Sequence, residues 1–253
     1  RYRQGRITAT GSLVYTNVTE HVKIGDAPAD FQRLAPSFTV SLQPWQEQLL
    51  FLRLMYKSTF RMPTFNDLYY YRLGNRSLRP EKANEYNMGI TWSRSFSSFL
   101  NYLSVTVDGY YNDVTDKIVA FPTTYAWKMA NYGKVHVTGM DATLAAAASL
   151  GKNMVLVVSG GYTWQKAIDL TDATSKSYKD QLPYTPKHSG NVSAVLEMPW
   201  VNVGYSIVGV SERYSMSQNI PENRIDGYME HTASLSRNFS FRHCKLRLQA
   251  EII

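Results

Sequence analysis

Met154-Val-Leu-Val-Val-Ser-Gly-Gly-Tyr-Thr-Trp164 alternates with a period of two, so an extended chain carries Met154, Leu156, Val158, Gly160, Tyr162 and Trp164 on one face. At about 3.3 Å per residue and about 40° of tilt, the stretch climbs roughly 25 Å. That is the height of the apolar band on a membrane β-barrel, and Trp164 closes it where an aromatic girdle belongs.

The same period recurs on both sides of this stretch. Ile7, Ala9, Gly11, Leu13 and Tyr15 alternate with Arg6, Thr8, Thr10, Ser12 and Thr16, and the pattern returns in Phe38-Val40-Leu42, Leu50-Leu52-Leu54-Tyr56, Met88-Ile90-Trp92 and Leu103-Val105-Val107. It continues in Val192-Ala194-Leu196, Val203-Tyr205-Ile207 and Leu246-Leu248-Ala250, with less regular segments at 130–148 and 227–237. Gly139 is read as a bulge that switches the phase in the first of these. The sum is about eleven strands. Leu13, Leu52, Val105, Leu156 and Ile207 fall on the apolar face, while Thr10, Arg53, Thr106 and Ser206 fall on the polar one.

Alternation alone fits a soluble sandwich equally well, and the connections separate the two. Short ones at 43–48, 93–100, 150–153, 199–200 and 238–242 alternate with long ones at 57–84, 115–131, 166–185 and 211–226. Trp45, Trp92 and Trp200 stand beside the short turns. The expected fold is therefore all-β, an antiparallel up-and-down transmembrane β-barrel, with tight turns at one rim and long loops at the other. An odd number of strands cannot close a bacterial barrel, so residues 1–253 read as part of a larger one.

The composition agrees. The chain has 253 residues with 18 Tyr, 10 Phe and 5 Trp, a β-rich and aromatic balance, and no apolar run of helix-spanning length. Its net charge is +7, but Lys and Arg are scattered instead of clustered, which argues against nucleic acid as a partner. With one cysteine, Cys244, no intrachain disulfide can form, and its phase with Leu246 and Leu248 makes it a small apolar side chain. The opening Arg1-Tyr2-Arg3 has neither an initiating Met nor a signal peptide and reads as the start of a fragment.

The densest chemistry lies in Phe60-Arg-Met-Pro-Thr-Phe-Asn-Asp-Leu-Tyr-Tyr-Tyr-Arg-Leu-Gly-Asn-Arg-Ser-Leu-Arg-Pro-Glu81, read as a long irregular loop. Pro63 and Pro80 push the residues before them toward extended geometry, and Gly74-Asn75 supplies a turn. Phe60-Arg61-Met62-Pro63, Asn75-Arg76-Ser77-Leu78, Arg79-Pro80-Glu81 and Glu85-Tyr86-Asn87-Met88-Gly89 resemble the FRAP, NPNL, (K/R)PE and ELG run of TonB-dependent outer-membrane receptors. Met62 replaces Ala, and Arg76-Ser77 replaces Pro-Asn. Downstream, the segment from Asn131 to Asp141 resembles that family's N-x-G-K strand, and Leu182-Pro-Tyr-Thr-Pro-Lys-His188 resembles its (L/M)-P-x-x-P-x-H motif.

The resemblance implies a barrel of about 22 strands, of which residues 1–253 are the C-terminal portion without the plug domain, the first half of the barrel or the last strand. It implies the outer membrane of a Gram-negative bacterium, contact with outer-membrane lipid, and energy delivered by the TonB complex through the plug. It also implies uptake of a scarce small molecule. Cobalamin or a siderophore is favoured over haem, because haem receptors of the family place a His between the first two boxes and Thr64 to Gly74 contains none.

No catalytic constellation is present in the sequence, and no cofactor is expected. The five His lack metal-ligand spacing, and Asp108, Asp113 and Asp116 read as solvated carboxylates at a strand end. The candidate binding residues are the rings and cations of the loops: Tyr69, Tyr70, Tyr71, Arg72, Arg76, Tyr125, Trp127, Arg213 and Tyr214, with Lys128, Tyr178, Lys179 and Arg224 beside them. Arg61, Asn66, Asp67 and Glu81 are expected to fold over the lumen, toward the plug. A passive porin or adhesin barrel and a soluble carbohydrate-binding or enzymatic β domain are the alternatives from other classes.

Overall fold

The computed structural model describes residues 2–19, 21–23, 30–45, 49–97, 99–122, 125–151, 153–240 and 244–253. The elements are β1 (Tyr2–Gln4), β2 (Ile7–Val18), β3 (Phe31–Leu42), β4 (Leu49–Arg61), α1 (Phe65–Tyr69), β5 (Glu81–Ser95), β6 (Leu100–Pro122), β7 (Trp127–Gly151) and β8 (Met154–Asp169). They continue with β9 (His188–Glu197), β10 (Asn202–Val210), β11 (Arg213–Tyr214), a 3-10 turn (Pro221–Asn223), β12 (Arg224–Ile225), β13 (Tyr228–Ser240) and β14 (Lys245–Ile252). One antiparallel meander orders twelve of these strands as β1-β2-β3-β4-β5-β6-β7-β8-β9-β10-β13-β14. Eleven are the long strands that the alternation marks, and β1 is a three-residue stub. The β11–β12 ribbon stands apart, in the connection between β10 and β13.

Register carries the alternation across the whole sheet. Leu42 faces Leu52, Leu52 faces Ile90, Ile90 faces Val107, Val107 faces Ala142 and Ala142 faces Tyr162. Directly opposed residues share a face, so every long strand presents its apolar set on one side. Leu13, Leu52, Val105, Leu156 and Ile207 all lie there, and Thr10, Arg53, Thr106 and Ser206 all lie on the other side. The apolar face is open, with Leu13 64% and Met88 64% exposed. The opposite face is polar, with Thr91 and Thr106 hydroxyls 3.1 Å apart, Ser93 and Ser104 2.8 Å apart, and Thr163 donating to Asp141 at 2.6 Å.

A single-layer sheet can bury apolar side chains only where loops fold back on it. They do so on the polar face at the long-loop rim. Ala83, Val114, Val135, Ala167 and Leu182 form one cluster; Leu68, Leu78 and Ile118 form a second beneath α1.

Two readings of the sequence are corrected. The ladder between β6 and β7 passes through Gly139 without a shift, so there is no bulge there; the irregularities fall between Leu100 and Tyr102 and between Ser149 and Gly151. Gly139 is instead covered by its partner Tyr110, whose ring occupies the space a Cβ would need. The expected loop at 115–131 is mostly ladder, since pairing continues from Lys117↔Tyr132 to Pro122↔Trp127. The expected turns at 43–48 and 238–242 fall partly on 46–48 and 241–242, which lie outside the described residues, as does His243.

Candidate ligand-binding site

The first long connection is built from its two ends inward. Arg61 closes β4 and Glu81 opens β5, and the two are register partners. Arg61 reaches Glu81 Oε2 at 3.5 Å and Asp67 Oδ2 at 3.4 Å, and its Nη2 donates to the Ile118 carbonyl at 3.1 Å. Glu81 Oε2 accepts from Ile118 N–H at 3.1 Å, and Lys117 Nζ lies 3.7 Å from Oε1. Asp67 also serves the helix: Thr64 N–H donates to its carboxylate at 2.9 Å while Asp67 N–H donates back to Thr64 Oγ1 at 3.2 Å. This capping box explains how five residues hold helical geometry in an otherwise irregular segment. Arg61, Asp67 and Glu81 thus meet on the polar face of the sheet. Asn66 does not join them; it is exposed, and its carbonyl accepts from Tyr70 N–H at 3.1 Å.

The other half of the connection is tied to β6 and β7. Asn131 Oδ1 accepts from Arg79 N–H at 2.9 Å, and its Nδ2 donates to the carbonyls of Arg79 at 2.9 Å and Asp116 at 2.7 Å. Arg79 Nε donates to Asp116 Oδ1 at 2.8 Å, and Asn75 Nδ2 donates to the Met129 carbonyl at 3.1 Å. The first Asn of the N-x-G-K segment is therefore the anchor of the (K/R)PE segment. The three acids read as free rim carboxylates each stand beside a cation: Arg53 for Asp108 at 2.9 Å, Lys134 for Asp113 at 3.9 Å, where the His136 ring also lies 3.2 Å away, and Arg79 for Asp116.

On this frame the candidate contact residues separate into groups. Tyr69 packs its ring 5.0 Å from Phe65 and beneath the Arg76 guanidinium at 5.2 Å. Phe65, Tyr69 and Arg76 line a recess of about 570 Å³, closed on its other side by Thr19, His21, Val22 and Lys23 from the segment after β2. Among the described residues no carboxylate lines it. Tyr70 and Tyr71 are 59% and 80% exposed, and Arg72, in left-handed backbone at φ 64, stacks on Tyr71 at 5.2 Å. Tyr125 is fully open to solvent.

The remaining loops converge elsewhere on the rim. The Trp127 and Tyr184 rings lie 6.3 Å apart, and Tyr184 N–H donates to the Tyr214 carbonyl at 2.7 Å. Arg213 stacks on Tyr228 at 5.6 Å, Lys179 on Tyr178 at 5.3 Å, and Arg224 pairs with Glu212 at 3.5 Å. Tyr132 donates to or accepts from Ser217 Oγ at 2.5 Å; burial pushes its phenol above the ordinary value, reinforced by Asp169 and opposed by the Ser217 hydrogen bond. In the exposed third loop, hydrogen bonds from Thr174 hold Asp172 below the ordinary carboxylate range. Sequence reasoning missed His21, Lys23 and Tyr184. Tyr184 had a signal in the L-P-x-x-P-x-H match; His21 and Lys23 had none. Among the described residues no group of three or more His, Cys, Asp or Glu side chains could hold a metal ion.

Comparison with known proteins places this architecture. The vitamin B12 transporter BtuB of Vibrio vulnificus is 32% identical over 84 residues, which cover 32% of this chain and 13% of the relative. The vitamin B12 transporter BtuB of Photobacterium profundum is 26% identical over 160 residues, 60% of this chain and 23% of the relative. The ferric citrate transporter FecA in its unliganded form superposes with a TM-score of 0.73 at 15% identity, over 98% of this chain and 37% of FecA. The ferric-catecholate import receptor Fiu from K12 E. coli gives 0.65 at 17% identity, over 96% of this chain and 37% of Fiu. These solved structures share the fold, and the chain spans well under half the length of each protein named. A model of the TonB dependent receptor-like β-barrel matches residues 1–253, so the chain belongs to the TonB-dependent receptor β-barrel family, whose members are outer-membrane receptors and transporters of Gram-negative bacteria.

Proposed function

We propose that this chain is the C-terminal portion of an outer-membrane receptor that takes up cobalamin or an iron chelate, driven by TonB acting through a plug domain inside the complete barrel. The observation that carries the reading is the recess between α1 and the segment after β2. Two aromatic rings, Phe65 and Tyr69, stand beside two cations, Lys23 and Arg76, and among the described residues no carboxylate lines the recess. Such a site suits a large, planar, partly anionic molecule, which can stack on the rings while the cations meet its charge. The names of the BtuB relatives favour cobalamin, and those of the structural neighbours favour ferric chelates. The linear strand order, with β1 and β14 at its edges, fits a barrel closed by further strands, since an unpaired edge in hydrocarbon is costly.

Haem stays as a second reading on a specific observation. The interval from Thr64 to Gly74 has no His, but His21 lines the same recess from another connection.

The test is titration of the complete receptor with cyanocobalamin, ferric citrate, a ferric catecholate and haemin. Tyr69→Ala or Arg76→Ala is expected to weaken the preferred ligand by about 1–3 kcal/mol, and Tyr70→Ala with Tyr71→Ala by a similar amount if those exposed rings close over it. Equal affinity in all variants for every ligand would remove the recess as the binding site. Ligand-independent ion conductance without saturable binding would favour a passive porin.

A further inference from the structure

We propose that the outer face of β8, β9, β10 and β13 seats an anionic, phosphate-bearing membrane lipid, with one acyl chain in a groove over Gly190 and Gly209 and the phosphate against Lys166 and His188. The groove arises from register. Tyr162 faces Gly190, Gly190 faces Gly209 and Gly209 faces Met229, so two neighbouring positions on one rung lack side chains. Tyr162 and Met229 form its walls, Val192 and Ile207 continue it toward the short-turn rim, and its volume is about 660 Å³. It belongs to the exposed apolar face, continuous with Val192, Val203 and Leu235. A bilayer presents acyl chains to that face, and a depression there is filled better by one chain that stays than by chains that slide past.

Charge identifies the kind of lipid. The outward positions of β8, β9, β10 and β13 include Lys166, His188, His231 and Arg237 and not one carboxylate. Lys166 stands two residues beyond Trp164, whose register partner is His188, so both bases lie at the long-loop end of the groove. Lys166 is exposed and has no ion-pair partner among the described residues. Tyr162 OH lies 2.7 Å from His188 Nδ1; with the phenol donating, Nε2 carries the proton and is left to donate to a phosphate oxygen. An ammonium and an imidazole N–H at the edge of an apolar slot match the boundary between a lipid's phosphate and its chains. A zwitterionic lipid fits less well, because its positive group would meet two bases on the outward face of these strands, while Glu212 and Asp226, in the connection between β10 and β13, are paired with Arg224.

The experiment uses the complete receptor, purified in mild detergent and reconstituted in nanodiscs of phosphatidylglycerol and phosphatidylcholine, with retained lipid read by native mass spectrometry. The wild type is expected to retain phosphatidylglycerol in preference to phosphatidylcholine. At Gly209 a Cβ would find ordinary contact with Met229, so Gly209→Leu fills the groove without forcing the backbone and should cut retention of both lipids roughly tenfold. Lys166→Gln with His188→Gln leaves the groove intact and should abolish only the preference, which keeps the proposal testable if Gly209→Leu fails to fold. Heat-modifiable gel mobility reports folding in each case. The proposal is overturned if the wild type shows no preference, if Gly209→Leu folds and retains lipid as before, or if the wild type is a dimer that Gly209→Leu dissociates, which would make the groove an interface between copies.

Discussion

Arg53 on β4 and Asp108 on β6 are two strands apart, yet Arg53 Nη2 lies 2.9 Å from Asp108 Oδ1, because Gly89 stands between them on β5 as the register partner of both. A Cβ at Gly89 would collide with Asp108 Oδ1. The final glycine of the Glu85-to-Gly89 segment is thus a gap through which an ion pair spans three strands. The pair is 43% and 37% exposed, so on its own it contributes about 0–1 kcal/mol. The larger consequence is steric.

Gly89→Ala should therefore destabilise the barrel by about 1–3 kcal/mol through overpacking, and Asp108→Ala in the same chain should recover most of that. The readout is the temperature at which folded mobility on a gel is lost. If the double variant were no more stable than Gly89→Ala alone, the collision would not be with Asp108.

The two faces of the sheet make a second contrast, tested at adjacent residues. Leu54 lies on the open apolar face and Met55 on the polar one. Near the bilayer midplane, Leu54→Arg should cost about 2–4 kcal/mol in a folding titration from urea into lipid vesicles, and Met55→Arg much less. Equal costs would mean that the apolar face does not meet hydrocarbon.

Alternation made the sheet legible because one face must be apolar along its whole height, and a single strand already fixes that height. It failed where another demand ruled. Asp116, in left-handed backbone at φ 55, and the unbroken apolar run Ile118-Val119-Ala120-Phe121 after Lys117 break the alternation, so the β6–β7 extension reads as a loop although its ladder continues. Gly139 reads as a bulge because a glycine in a strand has no partner in a one-dimensional pattern; its reason is Tyr110, across the ladder. At the rim, Arg61, Asp67 and Glu81 can be named together from sequence because they belong to one connection, the long one between β4 and β5. His21 and Lys23 reach the recess from a different connection, the one that follows β2, and no local pattern marks such a meeting.

Tyr132 gives a pH test of the loop packing. Its folded value is raised by burial, so the contribution of the neutral phenol is complete below about pH 10, the ordinary tyrosine value, and is lost as pH rises through the higher folded value. What is lost is a neutral ring in a half-buried site: ionisation sets a phenolate beside Asp169, and the bond from Ser217, in the connection between β10 and β13, offsets this only in part. Proteolysis of residues 211–226 should accelerate above that pH. Tyr132→Phe should cost about 0.5–1.5 kcal/mol at neutral pH and should remove this site's share of the alkaline response. An unchanged alkaline response in Tyr132→Phe would assign it to another group.

The last test concerns the network that folds the first long connection over the polar face. Asp67 and Glu81 side chains are only 14% and 16% exposed, and Arg61 is the cation that both share. Removing it leaves two shielded carboxylates near each other and the Ile118 carbonyl without its donor. Among the described residues Lys117 pairs with Glu81 alone, at 3.7 Å, and leaves Asp67 without a cation when Arg61 is removed. Arg61→Met should thus cost about 1–3 kcal/mol locally, the lower part of the range for broken charged pairs because Arg61 itself is 45% exposed. The loss should appear as faster hydrogen exchange across residues 64–80, where the helix cap depends on Asp67, and not in the strands below. In the complete receptor, ligand uptake should fall with it, since the recess is built on Phe65 and Tyr69 of the same helix. Asn66→Ala is the control: its side chain joins none of these bonds, so exchange and uptake should stay as in the wild type. If Asn66→Ala were as damaging as Arg61→Met, the ordering of this connection would rest on something other than the Arg61 network.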